Sequence, residues 1–148
     1  MFERIIWATD GSPGADAALT QVKRLAADGG RIVAVHCTQL LTGRAGGYPA
    51  DPDDPEMLEK IRAQVAELQE AGYRATLDTH RAYSSVGDTV AAIADGEEAD
   101  LIVCGTRGLT ALAGALGGSV SHRLLHSAHA PVLVVPEGVR EPLGGART

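Results

Sequence analysis

The sequence is poor in several things, and each shortage closes off a class of protein. Aromatic residues make up only 3% of the 148 residues, so the interior must be built from Ala, Val, Leu and Ile, as in compact α/β proteins. There are two cysteines, Cys37 and Cys104, far apart and each ending an apolar run. That is too few and too distant for a disulfide scaffold, and it points to buried reduced thiols. No Lys/Arg run exists, the net charge is −6 and the densest charge cluster, residues 51–59, is acidic. A general nucleic-acid binder is thereby excluded, and any phosphate site must be local. No apolar run approaches the roughly 20 residues of a membrane span, and the start MFERIIWATDG lacks the marks of a signal peptide. The expectation is a cytoplasmic protein with no membrane contact.

Two familiar phosphate motifs are also missing. There is no GxxxxGK[ST], which excludes a P-loop NTPase, and no GxGxxG after the first apolar run, which argues against a dinucleotide fold.

What is present is a regular alternation. Short apolar runs at residues 5–8, 32–37, 73–80, 101–104 and 132–135 are strand-length. RIVAVHC, DLIVCG and PVLVVP are continuously apolar, as parallel strands covered on both faces require. Between them lie amphipathic helical patterns. Ser12-Pro13 reads as N-cap and first helical residue, followed by Ala15, Ala18, Leu19, Val22, Leu25 and Ala26 on one face and a stop at Gly29-Gly30. Asp54-Pro55 opens a second helix that buries Leu58, Ile61, Val65 and Leu68 and ends at Gly72. A third covers about residues 88–98, with Val90, Ile93 and Ala94 inward. A fourth starts near Ser119, buries Val120, Leu124, Leu125 and Ala128, and stops before Pro131. The order β-α-β-α-β-α-β-α-β predicts one α/β domain over residues 1–137, a three-layer sandwich in which a five-stranded parallel sheet carries helices on both faces. Residues 40–53, rich in Gly and Pro, read as a long loop able to serve as a lid, and residues 138–148 as a flexible tail.

In open α/β sheets ligands bind beyond the C-terminal strand ends, where the strand order reverses. The segments to inspect are therefore ATDGS, residues 8–12, after the first strand and CGTRG, residues 104–108, after the fourth. The second opens GTRGLTALAGALGGSVS, residues 105–121, with five glycines. Its end, Gly118-Ser119-Val120-Ser121, begins the fourth helix, and a helix N-terminus offers unpaired N–H groups to a phosphate without lysine. Arg107 adds one cation. Read structurally instead, Ser119 only caps the helix and the glycines only shape a loop.

Gly105-x-x-Gly108, nine residues, then Gly118-Ser119 resembles the Gly-x2-Gly-x9-Gly-[Ser/Thr] pattern of ATP-binding universal stress proteins. ERIIWATDGSPGADAAL is similar to the opening strand and turn of that family, and ADLIVCGTRG and APVLVVP to its fourth and fifth strands, over roughly residues 2–136. The resemblance implies strand order 3-2-1-4-5 in an adenine nucleotide alpha-hydrolase-like fold, with ATP, accompanied by Mg²⁺, at the switch point. It implies that Ala8, Thr9 and Asp10 line the adenosine side and that Cys37 meets the adenine through its backbone. Cys104, Gly105, Arg107 and Gly108 would form the ribose and phosphate wall, and Gly118, Ser119, Val120 and Ser121 would hold the phosphates. Asp10 is the sole carboxylate among these positions and would contact the nucleoside or a Mg²⁺-bound water; its alternative role is capping the first helix. It also implies a homodimer through the fifth strand, serving an unidentified protein partner in a stress response.

No residue is assigned a catalytic role. Fast hydrolysis needs a water-positioning group and a clamp on the transferring phosphoryl, and the motif supplies only Arg107, two hydroxyls and Asp10. A nucleotide-dependent sensor is the expectation. A slow ATPase or phosphotransferase and an interaction module that binds no nucleotide are the alternatives. His122, His126 and His129, spaced i, i+4, i+7, read as a solvated or partner-facing surface rather than a metal site, and His36 as a satisfied core or rim histidine. Oxidation of Cys37 or Cys104 near the pocket is a testable idea.

Overall fold

A computed structural model describes residues 1–39, 55–82, 85–106 and 119–138. The loop expected at residues 40–53 and the tail at 138–148, apart from residue 138, lie outside the described residues. Five strands and four helices alternate: β1 (Phe2–Ala8), α1 (Pro13–Leu25), β2 (Ala26–Gln39), α2 (Pro55–Glu70), β3 (Arg74–Ala82), α3 (Val86–Gly96), β4 (Leu101–Gly105), α4 (Ser119–Ser127) and β5 (Val132–Val135). The sheet order is β3-β2-β1-β4-β5, with every neighbouring pair parallel.

The continuous apolar runs serve two cores. Ile5, Trp7, Ile32, Ala34, Leu101 and Val103 face α1 and α2. Ile6, Ala8, Val33, Val35, Cys37, Ile102 and Cys104 face α3 and α4. Alternate residues of one strand thus enter opposite cores, and each fully buried aliphatic side chain contributes about 1.5–3 kcal/mol. Right-handed crossovers explain the split, because steps from β1 toward β3 put their helices on one face and steps toward β5 put theirs on the other.

Local signals set the helix ends. Ser12 caps α1, its side chain accepting from the Ala15 N–H, with Pro13 just inside. The helix stops at Leu25, four residues before the expected glycine pair, because Ala26 turns to extended backbone while its side chain stays in the core. The glycines instead shape an irregularity in β2: Phe2 pairs Ala26 and Arg4 pairs Arg31, and Gly29 at φ +67° absorbs the intervening residues. Strand β3 is shifted one to two residues from its expected place. Helix α3 begins earlier than expected, at Val86, since Ser85 rather than a later residue is its cap. Leu125, expected to be buried, is 60% exposed, lying around the helix from Val120 and Leu124.

Helices α3 and α4 are clamped to each other. Arg123 Nε donates to both Asp88 carboxylate oxygens at 2.9 and 3.0 Å, and Ser127 Oγ donates to Oδ1 at 2.6 Å. Arg123, followed by Ser127, holds the Asp88 carboxyl below its ordinary value.

Two outcomes follow from this packing. Trp7, the single tryptophan, is fully buried and donates from Nε1 to the Ala15 carbonyl at 3.1 Å. Trp7→Ala should cost about 3–5 kcal/mol in urea unfolding monitored by circular dichroism, as for other large-to-small core changes. The Asp88 carboxyl has its lowered value only in the folded state, so its contribution is present above its unfolded value, about pH 4, and is lost as pH falls through the folded value. Asp88→Asn should therefore lower the urea midpoint at pH 7, and the gap to the wild type should close in titrations carried below pH 4.

Candidate functional site

Because the sheet is parallel, β1, β2, β4 and the start of α4 all present their relevant ends on one edge. β1 and β4 are direct neighbours, Ile5 to Trp7 pairing with Leu101 to Val103. From there α1 goes to one face and α4 belongs to the other, so the exits of β1 and β4 diverge, the arrangement beside which open α/β sheets bind ligands.

The β1 exit is held almost atom by atom. The Thr9 N–H donates to the Val35 carbonyl at 2.9 Å, and His36 Nδ1 lies 3.0 Å from the Thr9 carbonyl oxygen. A carbonyl only accepts, so this contact requires the proton on Nδ1 and makes His36, 8% exposed, a satisfied rim histidine as expected. Thr9 is fully buried, and its Oγ1 accepts from the Gly11 N–H at 3.1 Å. Asp10 Oδ1 accepts from the Ser12 N–H at 2.9 Å. Asp10 therefore closes an Asx turn, and the capping of α1 falls to Ser12. Gly11 sits at φ +76°, and a β-carbon there would overlap the Met57 thioether. Glycine is thus required by backbone conformation, while the flexible Met57 side chain packs into the space its missing β-carbon leaves.

Burial pushes the Asp10 carboxyl up from its ordinary value, against hydrogen bonds from Ser12 and the nearby His36. A desolvated carboxylate at a strand end is a candidate binding group, and its two oxygens have lone pairs for ligand hydroxyls beyond the bonds Ser12 supplies.

The remaining positions are distributed around this turn. Ala8 is fully buried beneath it. Cys37 pairs with His80 of β3 near the end of β2 and is 6% exposed. Cys104 and Gly105 end β4 opposite Val134 and Val135, and the chain leaves β4 with the Thr106 N–H still bonded to the Val135 carbonyl at 3.0 Å. Ser119 opens α4, and Val120 and Ser121 in its first turn are each 8% exposed. Arg107, Gly108 and Gly118 lie outside the described residues.

The thiols are poor nucleophiles. Burial, with Asp78 adding to it at Cys37, pushes both Cys37 and Cys104 up to about 11, so each stays protonated at neutral pH. They are free and lie on strands separated by β1. Among the described residues no group of His, Cys, Asp and Glu is arranged to hold a metal ion. The histidine stripe is also modified by the fold. His122 and His126 meet edge to face at 4.7 Å, but His129 lies beyond the helix and pairs through Nδ1 with Asp95 at 2.9 Å, a carboxylate that the sequence pattern did not bring to it.

Two contacts were not legible from sequence. His36 is expected to be satisfied, but its partner, the Thr9 carbonyl 27 residues away, carries no sequence signal. Lys60 lies 49 residues from the turn, yet its Nζ donates to the Gly11 carbonyl at 2.7 Å and to Asp16 Oδ2 at 2.8 Å. No spacing rule signals either contact, since both depend on which strands and helices become neighbours.

With this geometry in place the comparisons are specific. The profile of the universal stress protein family matches residues 1–136. A universal stress protein of Thermus aquaticus is 34% identical over 143 residues, spanning 91% of this chain and 99% of that protein. The crystal structure of a family protein from Burkholderia pseudomallei covers 90% of this chain and 96% of its own at 27% identity, with a TM-score of 0.64. That of a universal stress protein from Archaeoglobus fulgidus in complex with dAMP covers 89% and 96% at 22% identity, with a TM-score of 0.57, and at that identity shows the fold alone. The parallel sheet in the order 3-2-1-4-5 with four helices, matched along nearly the whole chain, makes this protein a member of the universal stress protein family.

Proposed function

We propose that this protein binds ATP between the β1 and β4 exits and acts as a cytoplasmic, nucleotide-dependent sensor rather than as a fast enzyme. The observation that carries the reading is the juxtaposition of a partly desolvated carboxylate, Asp10, with the glycine exit of β4 and the N-terminal turn of α4 on one sheet edge. The dAMP complex of the Archaeoglobus fulgidus relative supports an adenine nucleotide as the ligand class.

In this reading Asp10 accepts from the ribose hydroxyls, and Ala8 and Thr9 supply the wall beneath the nucleoside. Cys37 contributes backbone to the adenine, while Cys104, Gly105, Arg107 and Gly108 border the ribose and phosphates. Gly118, Ser119, Val120 and Ser121 hold the phosphates through amides at the positive end of α4 and through hydroxyl groups. The residues present fit Mg²⁺ only through water on Asp10. The bound ion would supply charge neutralisation to the phosphates.

What separates a sensor from an enzyme is the shortage of proton-transfer groups. The one imidazole at the turn, His36, is 8% exposed and spends Nδ1 on a main-chain carbonyl. The homodimer is assigned to β5, an edge strand whose Val132, Leu133 and Val134 are only half-buried in the single chain.

The test is direct. The purified protein, denatured without added nucleotide, should release an adenine nucleotide identifiable by mass spectrometry, or ATP at millimolar concentration should raise its melting temperature. Failure of both would sink the reading. Asp10→Ala should weaken ATP binding by about tenfold or more in calorimetric titration, the loss of one hydrogen bond to a charged group, and should leave turnover slow. Unchanged affinity would remove Asp10 from the site.

A further inference from the structure

The turn after β1 contains one peptide group that is gripped at both ends. The Gly11–Ser12 peptide donates its N–H to Asp10 Oδ1 at 2.9 Å, and its carbonyl oxygen accepts from Lys60 Nζ at 2.7 Å. We propose that Lys60 is a positioning residue of the nucleotide site: by holding that carbonyl it fixes the peptide plane, and through the opposite N–H it fixes the Asp10 carboxylate. The inference rests on the adenine-nucleotide reading above.

A lock is needed here because Gly11 is in the left-handed region, at φ +76°. Rotation about the bond from the Gly11 α-carbon to its carbonyl meets no β-carbon on that side, so the peptide can rock, although Ser12 at φ −73° opposes a full turn-over. Rocked away from its present plane, it would draw its N–H off Asp10 Oδ1. A cation on the carbonyl opposes this, and a hydrogen bond from an ammonium group is about twice as strong as a neutral one.

Lys60 is itself aimed. Its ammonium also bonds Asp16 Oδ2 at 2.8 Å, and the other oxygen of Asp16 accepts from Gln64 Nε2 at 2.8 Å. Lys60 and Gln64 are one helical turn apart on α2, so both ends of the Asp16 carboxylate bind the same helix. Three residues before Lys60, the Met57 thioether packs against Gly11 and closes the back of the turn. The Lys60–Asp16 pair, 41% exposed on both sides, would count for little as a salt bridge alone. Its distinctive feature is the main-chain carbonyl it shares. Lys60 meets the carbonyl of the peptide whose N–H bonds Asp10, so it acts on the carboxylate through that peptide.

The chain has two lysines, Lys23 and Lys60, and only Lys60 reaches this edge of the sheet. Its place on α2 means that the nucleotide turn is set by a helix that contributes none of the motif residues. Displacement of α2 by a partner would therefore alter nucleotide affinity without touching the nucleotide.

Two variants test this on the full chain. Lys60→Met keeps the aliphatic stem and removes the donor, and Lys60→Arg restores a donor. Amide hydrogen exchange of Gly11 and Ser12, measured without nucleotide, should quicken by about tenfold in Lys60→Met and recover toward the wild type in Lys60→Arg. ATP affinity should fall by about the same factor and recover in the same way, with the nucleotide-free melting temperature nearly unchanged. Should Lys60→Met fold poorly, Asp16→Asn, which frees the ammonium without removing it, should give smaller changes of the same sign. Exchange at the wild-type rate in Lys60→Met overturns the proposal, and so does quickened exchange with unaltered ATP affinity. If the wild type binds no adenine nucleotide, the functional reading fails by itself, and the exchange rates still decide whether Lys60 fixes the turn.

Discussion

Everything in this molecule depends on the double pairing of β1, which is bonded in parallel to β2 on one side and to β4 on the other. A central strand so placed is covered on both faces and must be apolar in both directions. It achieves this with Ile5 and Trp7 toward α1 and α2, and Ile6 and Ala8 toward α3 and α4. The same pairing forces the crossovers from β1 and β4 to opposite faces, because both must be right-handed. The divergence of the two exits is a geometric consequence of the winding, before any residue beside it is chosen for chemistry.

The polar groups at that edge are correspondingly constrained. Thr9, His36 and Ser121 are the buried polar residues among those described, and all three lie at this end of the sheet or in the first turn of α4. Thr9 has its N–H, carbonyl and hydroxyl all engaged by Val35, His36 and Gly11. Such saturation leaves the turn rigid, and beside it stands Asp10, a partly desolvated carboxylate bonded to Ser12. Rigidity of this kind suits recognition better than proton transfer. The clamp between Asp88, Arg123 and Ser127 extends the same rigidity to α4, so the helix end opposite the turn is held by packing and charge outside the site.

Much of the architecture was legible in particular residues. Ser12-Pro13 announced the start of α1, and the continuous runs around Ile32, Leu101 and Val132 announced parallel strands, because burial on both faces leaves no alternation to confuse the reading. The glycine pair at 29 and 30 misled for a physical reason: glycine marks a bend but not its kind, and here the bend lies inside the β1–β2 pairing rather than at a helix end. Leu125 misled because an apolar residue one step from the buried face of a short helix is ambiguous by 100°, and packing alone resolves it. His129 gained Asp95 as a partner because α3 and α4 lie side by side, an outcome that no local spacing encodes.

The sequence by itself determined the alternation of strands and helices, the parallel sheet, the family, and the two segments, ATDGS and the glycine exit of β4, at which to look for a ligand. These are properties of local pattern, carried by residues near one another in the chain. Only the tertiary structure decided that Lys60 and Met57 back the turn at Gly11, that His36 fixes the Thr9 carbonyl, and that the two thiols are buried beyond easy ionisation. Each depends on contact between groups 27 or more residues apart or on the depth of burial, and both quantities exist only once the sheet has brought its strands and helices together.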